Sequence, residues 1–569
     1  MLDLARSWRR KPLGLMGLAL LLGTIGCGDS SPPTAPAAGS VNPLASDSTW
    51  KQEIFENAVD NLHQLDEFQP QQMLERVIEQ LNQSVDWKRA VDWRPDPMLA
   101  ALPETVRQMQ LMTLLEDARL TRLDAFHLQE TVALQDVSRL AIHGVTDDLE
   151  RATLLFDWTI RNVPLATAGE LGSDAAGQAV RSNHLPYETL FFGRGDIMDR
   201  AWLFVLLCRQ QGLDAAVLAI PGVEGQPARP WAVGVAIDKK LYLFDPGLGL
   251  PIDKADGTVA TLEEVAADDS ILRRFDLDAE HPYPVTAADV STLIALVDAS
   301  PGYLSRRMKV LETKLTGDRK VVLTTRPSEV AERIQSCGHI GDARLWGVPF
   351  ERLVQRGSPE AAEAFAREFL PYRIDVLPPA LRPVAASLQR GRVLHLKGRL
   401  AAEEEEDSAN KFYQQARLAD SEIIAAGLND AQRLVLQRAK EDASFWLGLV
   451  AYERGRFETA ADHFQKRTLD EQPRGGRWSA GARYNLGRSL EALEKPAEAA
   501  AAFEAAGDDA QQMGNLLRAD RLRGGAAKAE ATDEKPAEPT AAPESPEGAE
   551  DTATEGPPVD DAIPAAAPE

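Results

Sequence analysis

The hydrophobic pattern of this chain changes period several times, and each change marks an element. Over 53–66 and 71–84, apolar side chains recur at helical spacing. The proline-punctuated stretch WKRAVDWRPDP follows, carrying Trp87 and Trp93. Such large aromatic areas suit packing against a neighbouring part of the chain, or a ligand. Further helical patterns run over 103–123 and 128–143. Asp147 and Glu150 form a capping-box pair that opens a helix to residue 163, with Leu149, Ala152, Phe156, Ile160 and Val163 on one side. Residues 164–190, with several Gly, Ala and Ser, read as a long loop.

The stretch 193–252 organises the chain. Ile197, Ala201, Phe204, Val205 and Cys208 share one helical face. Asp196 caps that helix, Asp199 adds negative charge to its first turn, and Gly212 ends it. Three runs rich in β-branched and aromatic residues follow, DAAVLAI, WAVGVAI and LYLFD, the last two as a hairpin. Beyond 252 the pattern weakens. It suggests helices over 262–267 and 287–297, a helix or strand over 303–315, a strand over 321–325 and a helix over 327–336.

From about 359 the spacing is helical again and repeats itself. The block 446–464 matches 484–503, with Gly448 on Gly487, Ala460 on Ala499 and Phe464 on Phe503. A fainter copy over 391–416 offers Gly398, Ala409 and Tyr413. Small residues let paired helices approach, and the aromatic fills the gap between them. Residues 524–569 are Ala, Pro, Glu and Asp with few large apolar side chains, too few to bury a core, so disorder is expected. The fold class is α+β multidomain: a helical region (49–145), an α+β core (146–256), an α+β extension (257–358), helical repeats (359–523) and an acidic tail.

The 569 residues carry a formal net charge of −25 with no basic stripe, which argues against nucleic-acid binding. The three cysteines, Cys27, Cys208 and Cys337, make no disulfide framework, and no metal-ligand or cofactor pattern appears. Arg6, Arg9, Arg10 and Lys11 precede an apolar run over 13–25, too short to span a bilayer and suited to an export signal. Thr24-Ile25-Gly26-Cys27 resembles a bacterial lipobox, with Thr24 where Leu is usual. The resemblance implies lipidation at Cys27, a flexible tether over 28–48, and a membrane-anchored protein on the periplasmic face of the cell envelope. An ordinary secretory signal is the alternative.

Gly195, Asp199, Ala201, Arg209, Gly212, Trp231, Asp245 and Pro246 stand where the transglutaminase-like superfamily has its motif, and the stretch resembles that family. The resemblance implies a papain-type Cys-His-Asp fold. The positions matching the nucleophile and base hold Ile197 and Arg229, and only Asp245 remains. Ile has no lone pair to offer, and Arg stays protonated. The implied molecule is a degenerate enzyme. The repeats resemble tetratricopeptide repeats, which implies a ligand-facing surface of His395, Arg399, Phe445, Leu449, Tyr452, Tyr484 and Arg488, suited to a peptide with an acidic group. We expect an exported, lipid-anchored scaffold that docks a protein or peptide through the repeats. A thiol protease or acyl-transfer enzyme using Cys208, or Cys337 with His339, is the alternative of a different class. A purely structural envelope protein is a third.

Overall fold

The computed structural model describes residues 47–64, 70–102, 111–166, 183–222, 226–356, 358–401, 407–472, 476–505 and 510–533. The expected signal segment and Cys27 lie outside these. The chain divides into a compact unit, 1–524, and a second, 525–569.

Helices α1 (Asp47–His63) and α2 (Pro70–Ser84) pack together. Their seam, with Val59, Val77 and Leu81, is closed by Trp87 and by Leu311 and Leu323 from far along the chain. Trp93 donates its indole N–H to the Leu304 carbonyl at 3.0 Å. Trp87 therefore serves packing, and Trp93 is half-buried and anchored through its indole. The expected helix to 123 instead breaks between α3 (Leu111–Glu116) and α4 (Arg122–Ile142). There Asp124 accepts the Thr121 N–H at 2.7 Å and starts a new helix. Asp147 caps α5 (Asp148–Asn162), accepting from the Glu150 N–H at 2.9 Å. A helix, α6 (Pro186–Phe192), replaces the end of the expected 164–190 loop. Pro186 opens it, and the Glu188 carboxylate takes the Leu185 N–H.

Helix α7 (Ile197–Gln210) is buried on every side between Asp199 and Cys208, not on one face: Trp202, Leu203, Leu206 and Leu207 are as enclosed as Ala201 and Phe204, while Ile197, expected on the apolar face, is exposed. It packs between the sheet and α4 and α5. Strands β1 (Asp214–Ile220), β2 (Arg229–Ile237), β3 (Lys240–Asp245), β4 (Leu250–Pro251), β5 (Leu293–Val297) and β6 (Ile340–Leu345) form one sheet in the order β4-β3-β2-β1-β5-β6. All neighbours are antiparallel except β5 and β6. The pleat sorts alternate residues: Val217, Val233 and Phe244 face the α7 side, and Ala216, Leu218, Leu241 and Leu243 face the other. That second face is covered by α8 (Leu262–Ala267), α9 (Ser270–Arg273) and, after α10 (Pro301–Leu304) and α11 (Arg306–Glu312), by α12 (Pro327–Gln335).

Two expectations beyond 252 are corrected. Residues 287–297 are not a helix: Asp289 holds a turn by accepting from Thr286 N at 2.8 Å, and the apolar run after it is the buried strand β5. Residues 321–325 join no sheet. Val322 N donates to the Gln210 side chain, Leu323 N and Thr324 N to Glu312, and Thr325 N to the Tyr303 carbonyl.

After α13 (Val348–Gln355) and α14 (Pro359–Glu368), helices pair as α15 (Arg382–Leu396) with α16 (Ala409–Ala416). Past α17 (Asp420–Ala425), α18 (Asp430–Glu453) pairs with α19 (Phe457–Asp462), and α20 (Ser479–Ala492) with α21 (Pro496–Glu504). A last helix, α22, spans Gln512–Asp533. Gly448 meets Phe464 and Gly487 meets Phe503: a Cβ on either glycine would lie 2.5 or 2.6 Å from the ring. In the fainter copy the residue meeting Tyr413 is Gly391, at 2.7 Å, not Gly398. Gly398 ends α15 at φ +73°, as Gly455 ends α18 at +69°. One hydrophobic cluster runs from Leu134 through the sheet to Ala519. The expected tail is helical as far as Asp533, and the rest of it lies outside the described residues.

Two outcomes are expected. Gly448→Val overfills the contact with Phe464 and lowers stability by about 3 kcal/mol; in a Phe464→Ala background the same change costs much less, which a double-mutant cycle in urea measures. Burial alone would raise the Glu368 carboxyl, but Arg477, 2.6 Å away, with Arg194 holds it down to about 2. A depressed carboxyl adds stability above its unfolded value, and that stability is lost as pH falls. Stability should therefore drop between about pH 4.5 and 2, and Glu368→Gln should flatten that limb of the curve.

Candidate functional site

Ile197 opens α7, Asp245 closes β3 and Arg229 opens β2, so three separate elements bring the motif positions to one end of the sheet. The turn Asp245–Gly247 lies against Ile197: a Cβ on Gly247 would be 3.5 Å from the isoleucine Cδ1 and 3.2 Å from Asp245 Oδ1. Asp245 is 6% exposed. Its Oδ1 accepts the N–H groups of Gly247 (2.8 Å) and Leu248 (3.0 Å), and its Oδ2 accepts the Tyr283 hydroxyl at 2.7 Å. The Tyr283 oxygen in turn accepts the Trp231 indole N–H at 2.6 Å. Burial raises the Asp245 carboxyl above the usual range, and the three donors pull it partly back. Arg229 is exposed and close enough to act electrostatically on Tyr283 and Asp289.

The first turn of α7 is held by charge. Asp196 and Asp199 cap each other's backbone N–H groups, at 2.9 and 2.8 Å. Arg352 from α13 pairs with Asp199 and donates to the His184 carbonyl. Burial and the Asp199 carboxylate raise Asp196 to about 6, against the pull of Arg352. Behind the site, the 246–249 turn is walled by α22: a side chain on Gly514 would collide with the Leu248 carbonyl, and Gln511 crowds Gly249. Tyr283, Gly247 and Arg352 escaped the sequence reading. Tyr283 sits in the irregular stretch HPYPV, which has no periodicity to mark it.

The residues at this end of the sheet supply an exposed apolar side chain (Ile197, 40% exposed), a permanent cation and a buried carboxylate. None of the three can attack a carbonyl as a thiolate or accept its proton as an imidazole. Cys208 is fully buried three turns along α7, and burial raises its thiol far above the ordinary value. Cys337 is half-buried, its Sγ on the Arg333 carbonyl at 3.4 Å, and burial with Asp214 raises it too. His339 is exposed at φ +58° and turns Nδ1 to the Ser291 carbonyl instead. Among the described residues no group of three or more His, Cys, Asp or Glu could hold a metal ion.

The surface assigned to a peptide on the repeats faces inward, and that assignment is corrected. His395, Phe445 and Leu449 have no exposure and Tyr484 only 4%. His395 Nε2 lies 2.8 Å from Glu453 Oε2, and Phe445 stacks on Trp478 at 4.4 Å. Arg161 of α5 sits 4.4 Å over the Tyr452 ring, and Arg488 pairs with Asp157. Of the set only Arg399 is exposed. The chain's own α5 and α6 occupy this face, with Arg392 donating to the Leu190 and Phe191 carbonyls.

No family model, curated protein or solved structure matches this chain. No helix among the described residues is long and apolar enough to cross a membrane.

Iodoacetamide at pH 7 should leave Cys208 unmodified until the protein unfolds, and should alkylate Cys337 no faster than free cysteine. Mass spectrometry of timed digests reads both rates, and fast labelling of either would restore the thiol-enzyme reading.

Proposed function

We propose that this chain is an exported, lipid-anchored interaction protein of the bacterial envelope, with a transglutaminase-like cleft that holds a protein segment instead of cutting or joining one. The observation that carries this reading is Ile197. Every other large apolar side chain of α7 from Trp202 onward is buried, yet the one at the position of a nucleophile is exposed beside the Asp245 turn. An exposed apolar group at the same end of the sheet as the Arg229 cation suits a segment that carries both an apolar side chain and a carboxylate. The helical pairs, which resemble tetratricopeptide repeats, act in this reading as a frame, because their ligand-facing surface is filled by α5 and α6. Docking therefore belongs to the cleft rather than to the repeats. Lipid on Cys27 would keep the cleft near the membrane surface.

A photocrosslinking phenylalanine analogue placed at Ile197 in the full chain should give a discrete adduct in cells, and Arg229→Glu should abolish it. Labelled palmitate should enter the wild type and not Cys27→Ser. Amide hydrolysis or transamidation by a chain lacking both Cys208 and Cys337, or an adduct indifferent to Arg229→Glu, would overturn the reading.

A further inference from the structure

Helix α7 borders a cleft at its other end. Arg209 lies 12 residues from Ile197, about 18 Å along the axis. Here the end of α7, the start of β1, the 320–326 segment, α12 and the strap 92–96 border an open space of about 580 Å³. That is within the roughly 300–1,000 Å³ typical of small-molecule sites. Its walls include the apolar side chains of Val205, Leu213, Ala215, Leu304, Val322 and Val330. The strap is tied down at three points. Arg326 donates to the Asp92 carbonyl at 3.0 Å, Ser328 Oγ to Asp96 at 2.8 Å, and Trp93 to Leu304.

Six cations and five carboxylates, Asp96 among them, line this space, and the way they pair leaves two of the cations over. Lys309 is neutralised by Glu312 at 2.8 Å, Arg326 by Asp92 and Glu329, and Arg333 by Asp214. Arg209 pairs with the buried Asp298 at 2.7 Å and stacks over Tyr303 at 4.4 Å. Arg94 and Lys320 remain, both exposed and both without a carboxylate partner among the described residues. In a chain of net charge −25, two free cations over an apolar floor form a local exception. A ligand that uses both features carries a negative group on an apolar body.

We propose that this cleft binds a small amphipathic anion, with its apolar body against Val205, Val322 and Val330 and its charge toward Arg94 and Lys320. The site is independent of the Ile197 cleft and of the function proposed for it. The full chain is titrated with 8-anilinonaphthalene-1-sulfonate and, separately, with its uncharged relative N-phenyl-1-naphthylamine. One saturable site is expected for each. The double variant Arg94→Glu/Lys320→Glu should weaken the sulfonate about tenfold while moving the neutral probe less than about twofold. Val330→Trp, which fills the floor, should abolish both. Unchanged sulfonate affinity in the double variant, or binding of both probes by folded Val330→Trp, would overturn the proposal. If Val330→Trp does not fold, the double variant decides alone, since both of its positions are exposed.

Discussion

The last turn of α5 is pressed into the helical pairs, and most of the architecture depends on that contact. Asp157 meets Arg488, Arg161 lies over Tyr452, and Asn162 donates to Glu453 at 3.1 Å. Glu453 also holds His395. Burial alone would raise Asp157, but Arg488 and Arg161 outweigh it and hold the carboxyl below the ordinary range. Charges this enclosed are tolerated only in company. Removal of one partner from such a buried set commonly costs about 3–5 kcal/mol, because the survivor cannot be rehydrated. The helical pairs and the α/β core are for this reason one continuous body within residues 1–524, joined by a hydrophobic cluster that extends from α4 to α22.

That junction bears on how the repeat-like segment is used. Paired helices leave a concave surface whose side chains project toward a ligand. Here the side chains project into this chain's own α5 and α6, and the arginine at the centre, Arg392, donates to two main-chain carbonyls at the end of α6. In this chain that face serves internal support. It positions α6 and the 193–195 turn, which lead directly into α7 and the exposed Ile197.

Where one element carried its own signal, the sequence was legible. The hairpin of β2 and β3, the caps of α5 and α7, and the short helix α8 were readable, because each is specified by alternation or by a capping side chain a few residues away. What failed was specified from a distance. Residues 321–325 have the composition of a strand, but Gln210 and Glu312 claim their amides, and nothing local announces that. The edge strand β6, IGDARL, pairs on one side only and shows no apolar alternation to reveal it. The sequence motif picked out Ile197, Arg229 and Asp245, and the fold brings these three positions to one end of the sheet. Tyr283, which completes the Asp245 network from 38 residues downstream, was not. The inward face of the repeats was hidden for the same reason, since a helical spacing says which residues share a face and not what covers it.

The approach of Gly514 to the Leu248 carbonyl ties the turn behind Asp245 to a helix made some 265 residues later. During synthesis, therefore, the strands and α7 can assemble long before the turn bearing Asp245 acquires its back wall. A chain stopped anywhere between β4 and α22 would hold every motif residue and still present an unsupported turn, so this end of the sheet is among the last parts of the protein to reach its final shape.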